Sequence, residues 1–309
     1  MIDLLALILP IFLLMGVGFA AVRTGFVTGQ VVQALGAFVL DFALPALILQ
    51  ALLRQDLRQT LDWNYLAAYA AGSLAVFAVV LFTTRALLGR PLADAAIAAL
   101  GGSASNSGFV GFPVASLALG APALTALPLT MLIENIVIIP LALGLAEMGL
   151  QHGKGAGEVA RSTLARLSRT PLILAIAAGV VLSAAGLHVP APVATALGMM
   201  ADASVPCALF VVGGTLAGLR AASLGGDVGV IVAAKLALHP LAVAGAFMLV
   251  GEIPAGLMAA GIILASSPML TIYPILGARF GCDRASAAAL LAATALSFVT
   301  LFFVLGLIL

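Results

Sequence analysis

Ten stretches of this chain run for about twenty residues or more with hardly a formal charge, the length an α-helix needs to cross a bilayer. Only 13 Lys and Arg and 12 Asp and Glu occur among 309 residues, and 63% of the chain is hydrophobic. An ordinary soluble domain is about 45–50% apolar and about 25% charged. There is too little polar surface here to cover a water-facing globule, so a soluble enzyme is excluded. A formal net charge of +1 with no basic tract argues against nucleic acid as a partner, because such binding draws on neutralised phosphates. The apolar runs are continuous, without a period of two, which removes barrel strands. The chain reads as an all-α polytopic membrane protein with the lipid bilayer as its solvent.

Polar punctuation places ten transmembrane helices at Leu4 to Val22, Val31 to Leu53, Trp63 to Leu88, Leu92 to Gly120, Leu124 to Gly149, Pro171 to Leu187, Val193 to Leu219, Asp227 to Val250, Pro254 to Ala278 and Ala285 to Leu309. Met1 to Asp3 has no basic residue, so the first span is taken as a helix of the mature protein rather than a signal peptide. With the N-terminus outside, inner loops collect Arg23, Arg85, Arg90, Lys154, Arg161, Arg166, Arg169, Arg220, Arg279 and Arg284, against Arg54 and Arg58 outside. The positive-inside rule then puts both termini outside and the central loop, residues 150–170, in the cytoplasm. That loop, with His152 among its basic residues, reads as a solvated linker.

A constant shift of 161 residues lays Pro10 on Pro171, Gly18 on Gly179, Gly25 on Gly186, Asp41 on Asp202, Pro45 on Pro206, Ser105 on Ser266, Pro113 on Pro274 and Gly120 on Gly281. Coincidence in a chain rich in Gly, Pro and Ala is the bland explanation. Paired aspartates and prolines favour a repeat of five helices, residues 1–149 and 171–309, joined by the central loop. Five is odd, so the second copy crosses the membrane in the opposite sense, the inverted-repeat architecture of secondary transporters.

The fourth span holds SNSGFVGFP, residues 105–113, and the ninth holds SSPMLTIYP, residues 266–274. Glycine, hydroxyls and proline in mid-membrane interrupt a helix, and lipid tolerates the break only where protein or a water-filled cavity satisfies the backbone. Pro113 and Pro274 suit the first position of a restarting half-helix, whose N-terminal amides and partial positive charge suit an anion. The candidate substrate site is therefore Ser105, Asn106, Ser107, Gly108, Pro113, Ser266, Ser267, Thr271, Tyr273 and Pro274, where the broken fourth and ninth helices cross. Plain kinking and packing by small and polar residues is the alternative.

Asp41, Glu134, Asp202 and Lys235 fall inside spans, where an ionisable group usually lines a pathway or finds a partner. Asp41 and Asp202 are repeat mates, suited to a framework, a dimer contact or proton coupling. Lys235 and Glu134 break the repeat, their mates being Leu74 and Ala295. Lys235 either offsets the substrate charge or pairs with a carboxylate near the breaks; snorkelling to the inner surface is the rival reading. His239 lies one turn further along the same face and would relay a proton or simply pack, and Asn135 beside Glu134 would orient the site.

Enzyme chemistry finds no footing. GVGFAA from Gly16 fits a dinucleotide fingerprint loosely, but inside a lipid span, and HExxH, GxSxG and GK[ST] patterns are absent from the sequence. Cys207 and Cys282 read as small buried hydrophobes, not a disulfide framework or a metal site. No cofactor or metal is expected.

With these features placed, the chain resembles the auxin efflux carrier family, including bacterial members labelled malonate or malate permeases. Asn106 to Pro113 matches the family's Asn-x-x-x-x-Gly-[Ile/Phe]-Pro crossover, and DASVPCALFVVGG (202–214), FALPAL (42–47) and KLALHP (235–240) look like its other signatures, in order over essentially the whole chain. The spacing of Pro268 and Pro274 around Tyr273 and the short central loop are departures. The resemblance implies a ten-helix fold shared with bile-acid symporters and sodium/proton antiporters. It further implies a scaffold of helices 1, 2, 6 and 7 that carries Asp41 and Asp202, a transport domain of helices 3 to 5 and 8 to 10 that moves like an elevator, and a homodimer formed through the scaffold. The expectation is a secondary transporter of small organic anions, mono- or dicarboxylates such as malonate or malate, with proton or sodium as coupling ion, in a bacterial inner (plasma) membrane. A sodium/proton-type exchanger and a non-transporting receptor or assembly subunit are the alternatives.

Overall fold

The computed structural model describes residues 2–54, 62–150, 169–185, 189–218 and 226–309. Arg58, His152, Lys154, Arg161, Arg166, Gly186 and Arg220 lie outside the described residues, with most of the central loop. Twelve helical elements are labelled here in chain order. They are α1 (Ile2–Arg23), α2 (Gly29–Leu53), α3 (Trp63–Leu87), α4 (Leu92–Ser103), α5 (Phe112–Leu119) and α6 (Ala121–Gly149). They continue with α7 (Pro171–Ala184), α8 (Ala191–Gly218), α9 (Asp227–Val250), α10 (Ala255–Ser266), α11 (Tyr273–Ala278) and α12 (Asp283–Ile308). Six of them, α2, α3, α6, α8, α9 and α12, are long and apolar enough to cross a membrane. No strand occurs among the described residues.

Large apolar side chains cover the outside. Trp63, Phe82, Leu241, Met248, Leu249 and Leu307 are exposed while Glu134, Lys235 and His239 are buried, the inverse of a water-soluble protein. The chain is an integral membrane protein.

Prolines mark where these helices depart from α geometry. Five-residue π-helical turns occupy Val39–Ala43, Ser107–Gly111, Glu134–Ile138 and Ala234–Leu238. Each is followed at the second residue by a proline, Pro45, Pro113, Pro140 or Pro240. A proline cannot donate to the preceding turn and crowds its carbonyl. Widening that turn to an i→i+5 pattern relieves the clash without ending the helix. A further π turn, Thr83–Leu87, closes α3. Asp41, Glu134 and Lys235 all sit in such turns.

The helices pack as two groups. In one, α1 lies on α8, and α2 lies on α7 and α8; in the other, α3, α4, α6 and α9 to α12 pack on one another. The groups meet where α8 touches Ser107–Gly111, α1 touches α5, and α2 touches α6. Glycines bring α1 and α8 into backbone contact: a Cβ on Gly18 would overlap the Phe210 carbonyl, and one on Gly213 would overlap that of Met15. Small residues allow such approach in lipid, where dispersion replaces the hydrophobic effect as the driving force. Gly213→Ala is expected to lower stability by at least about 2 kcal/mol, the scale of overpacking a tight contact. A melting curve of the purified protein checks it, and an unchanged midpoint would mean a looser crossing.

Two chain breaks position the candidate site. Between α4 and α5 the backbone leaves the helix at Ala104, extended at φ −109° and ψ 141°, and re-enters at Ser107. Between α10 and α11 it leaves at Ser267 and re-enters at Tyr273. The first restart comes earlier than the prolines suggested. Ser107, not Pro113, opens the half-helix, because Pro113 is accommodated by the π turn before it; Pro274 does stand at the start of α11, as its second residue.

Candidate functional site

The two breaks are hydrogen bonded to each other. The Asn106 amide donates to the Pro268 carbonyl at 2.7 Å, and its side-chain Nδ2 donates to Thr271 Oγ1, also at 2.7 Å. Backbone groups freed by the breaks thus find partners inside the protein, the condition under which irregular backbone survives at membrane depth. Asn106 gives no side-chain cap to the helix it precedes, so its amide group is spent across the break.

A polar network runs from this crossing into the bundle. Glu134 on α6 accepts from the Ser105 amide at 2.8 Å and from Ser107 Oγ at 2.9 Å to each carboxylate oxygen. Lys235 on α9 donates its three protons to Ser105 Oγ, the Ala265 carbonyl and His239 Nδ1, each at 2.7 Å. With Nδ1 accepting, the His239 Nε2–H is the donor to Ser73 Oγ on α3, at 2.9 Å. Ser105 stands between the two charges, its amide on Glu134 and its hydroxyl on Lys235. The pairing of Lys235 with a carboxylate is thus mediated rather than direct, and the side chain is fully buried, which removes the snorkelling reading. Burying a charge is tolerable only when it is compensated and hydrogen bonded.

Aromatic side chains wall the network. Tyr65 stacks on Tyr69 at 5.9 Å, Tyr69 meets the His239 ring edge-on at 6.0 Å, and Phe247 lies 5.1 Å from Tyr65. Tyr65 Oη and Thr130 Oγ1 share a hydrogen bond of 2.6 Å. Tyr65→Phe is expected to cost about 1 kcal/mol, the net worth of a typical hydrogen bond, with the ring packing kept; a thermal melt tests this.

Other expected residues sit around the crossing without entering the network. Gly108 is buried, and a Cβ there would come 2.9 Å from Leu44 of α2. Pro113 is buried and Pro274 is partly exposed. Ser266 and Ser267 bond back to the Ile262 and Leu264 carbonyls of their own helix, while Tyr273 Oη donates to the Ile97 carbonyl of α4 at 3.0 Å. Asn135 bonds to the Met131 carbonyl on its own helix. Asp41 and Asp202 are exposed on the chain's surface and none of the network's hydrogen bonds reaches them. Sequence reasoning missed Tyr65, Tyr69 and Ser73. Their four-residue spacing on α3, which puts them on one helix face, was the available signal.

A family model described as "Membrane transport protein" matches residues 3–152 and 155–305. The chain belongs to this family, the auxin efflux carriers. A protein of Rhizobium meliloti (strain 1021) named "Putative malonate transporter" is 29% identical over 293 residues, covering 94% of this chain and 92% of that protein. As an auxin efflux carrier relative the chain is a membrane transport protein and not an enzyme.

Proposed function

We propose that this chain is a secondary active transporter of small organic anions, mono- or dicarboxylates such as malonate or malate, and that substrate binds at the crossing of the two breaks. The observation that carries the reading is the bonding of Asn106 to Pro268 and Thr271 beside the fully buried Lys235. Together they set polar groups and a helix N-terminus where α8 meets Ser107–Gly111, with one cation behind them inside the second group. The substrate-binding residues proposed are Ser105 to Gly108, Pro113, Ser266, Ser267, Thr271, Tyr273 and Pro274, with Lys235, Glu134 and His239 as charge-compensating or coupling groups and Asn135 beside them. The name of the Rhizobium relative supports malonate as the first substrate to try.

The proposed architecture is ten spans in two inverted five-helix repeats, residues 1–149 and 171–309, with α4–α5 and α10–α11 as the broken fourth and ninth helices. Exchange of repeat mates turns the α1–α8 contact into the α7–α2 contact, and both are present. The half-helices α5 and α11 are each followed by a positive-φ glycine, Gly120 at 66° and Gly281 at 77°, again mates. The two helix groups suit an elevator in which α3 to α6 and α9 to α12 move against the rest. Asp41 and Asp202, exposed on the first group, suit a homodimer contact. The proposed setting is a bacterial inner membrane with both termini outside and residues 150–170 in the cytoplasm. Arg90 paired with Asp227 and Arg279 near Glu147 would then lie on the cytoplasmic rim.

Uptake of radiolabelled malonate into proteoliposomes under an imposed proton or sodium gradient tests the reading. Accumulation driven by one gradient is the expected result and names the coupling ion. Cation exchange without malonate flux would make the chain an exchanger, and no flux of either kind would make it a receptor or assembly subunit.

A further inference from the structure

The donors best placed to hold a substrate carboxylate are already holding one. The Ser105 amide and Ser107 hydroxyl, at the N-terminal end of the half-helix that runs through α5, both point at Glu134. A helix N-terminus favours an anion through its free amides and partial positive charge. Two carboxylates cannot occupy the same donors in a dry interior, since their repulsion there is far larger than in water.

A second observation concerns the neighbouring Tyr69. Tyr69 Oη is fully buried and has no hydrogen-bond partner, yet Ser105 and Glu134 are its near polar neighbours. Buried hydroxyls are nearly always satisfied, so an orphan beside a carboxylate marks a place that a carboxylate or a water takes in another state. Lys235 holds Ser105 from the other side and can offset an anion in either position. Glu134 sits in a π turn, a feature frequent where function demands a local departure from helix geometry.

We propose that Glu134 is a tethered stand-in for substrate: in the empty carrier its carboxylate fills the anion site, and an incoming carboxylate takes the Ser105 and Ser107 donors as Glu134 swings to the Tyr69 hydroxyl. This rests on the crossing being an organic-anion site and adds an internal competitor to it. The crossing is never left with uncompensated donors beside Lys235, and a weakly basic anion must displace a carboxylate to bind, which selects against neutral solutes.

The test uses purified full-length protein and two probes, formate and malonate. Glu134→Ala leaves a carboxylate-sized hole on intact donors, so formate is expected to raise its melting temperature saturably and malonate to compete with that effect. Formate is expected to leave the wild type unmoved. Tyr69→Phe is expected to weaken malonate binding about tenfold, the loss of one hydrogen bond to a charged group, without lowering the melting temperature of the empty protein. Formate acting equally on Glu134→Ala and wild type, or malonate binding unchanged in Tyr69→Phe, overturns the proposal; the latter result would assign the Tyr69 hydroxyl to a bound water. Should Glu134→Ala fail to fold, infrared difference spectra on adding isotope-labelled malonate decide instead. A glutamate carboxylate band must change in wild type and vanish in Glu134→Gln, and a spectrum without such a band overturns the proposal. Formate rescue with no binding of malonate to wild type would sink the malonate assignment and leave the anion site standing.

Discussion

Lys235→Ala is expected to abolish malonate uptake and to destabilise the protein by about 3–5 kcal/mol, the cost of leaving a buried charge without its partner. Three acceptors lose their donor at once: Ser105 Oγ, the Ala265 carbonyl and His239 Nδ1. Glu134, one serine away, keeps its charge with no cation to offset it. The pair can be separated from the fold by a second change. Lys235→Ala combined with Glu134→Gln removes both charges, and is expected to recover much of the lost stability while transport stays absent. Thermal denaturation of the single and double variants measures the coupling. Equal destabilisation of the double and the Lys235 single would show that the two charges do not sense each other through Ser105.

Asn106→Ala is expected to leave a folded carrier whose malonate transport falls about tenfold to a hundredfold, the range for a buried hydrogen-bonding group lost at a charged ligand. The main-chain bond from the Asn106 amide to Pro268 survives this substitution, because it uses no side-chain atom. What is lost is Nδ2 and its bond to Thr271. Thr271→Ala removes the other end of that bond and is expected to weaken transport less, since Asn106 would remain available to substrate. Initial rates in proteoliposomes at several malonate concentrations distinguish the two, and full transport by Asn106→Ala would remove the crossing from the substrate path.

The helical spans were legible because the cost of charge in lipid writes itself into composition: the apolar runs begin and end within a few residues of the observed helices at Trp63, Leu92, Gly149 and Pro171. The two breaks were legible for a related reason, as proline and glycine clusters have few other uses at that depth. The point of restart was not. Pro113 looks like a first helical residue from its chemistry alone, but a π turn, formed only where the surrounding bundle holds it, lets the helix begin at Ser107 and carry the proline inside.

Partners across the bundle were harder still. Lys235 and Glu134 stand out singly as charges with no charged residue at the 161-residue shift, and Lys235 and His239 as a pair one turn apart. Nothing in their spacing says that Ser105 comes between lysine and carboxylate, since that depends on how α4, α6 and α9 meet. Asp41 and Asp202 are the opposite case. As paired acids at a constant shift they were open to a framework, a dimer contact or proton coupling, and both lie exposed on the first helix group, outside the network's hydrogen bonds.

Binding of a small carboxylate where the two broken helices cross has a direct spatial consequence. Anomalous diffraction from crystals grown with bromomalonate tests it most directly, because the bromine reports position without reference to transport. The expected peak lies beside Asn106 and Thr271, within reach of the Ser107 end of the half-helix. A peak elsewhere in the chain, or none at concentrations that saturate binding in solution, would contradict it.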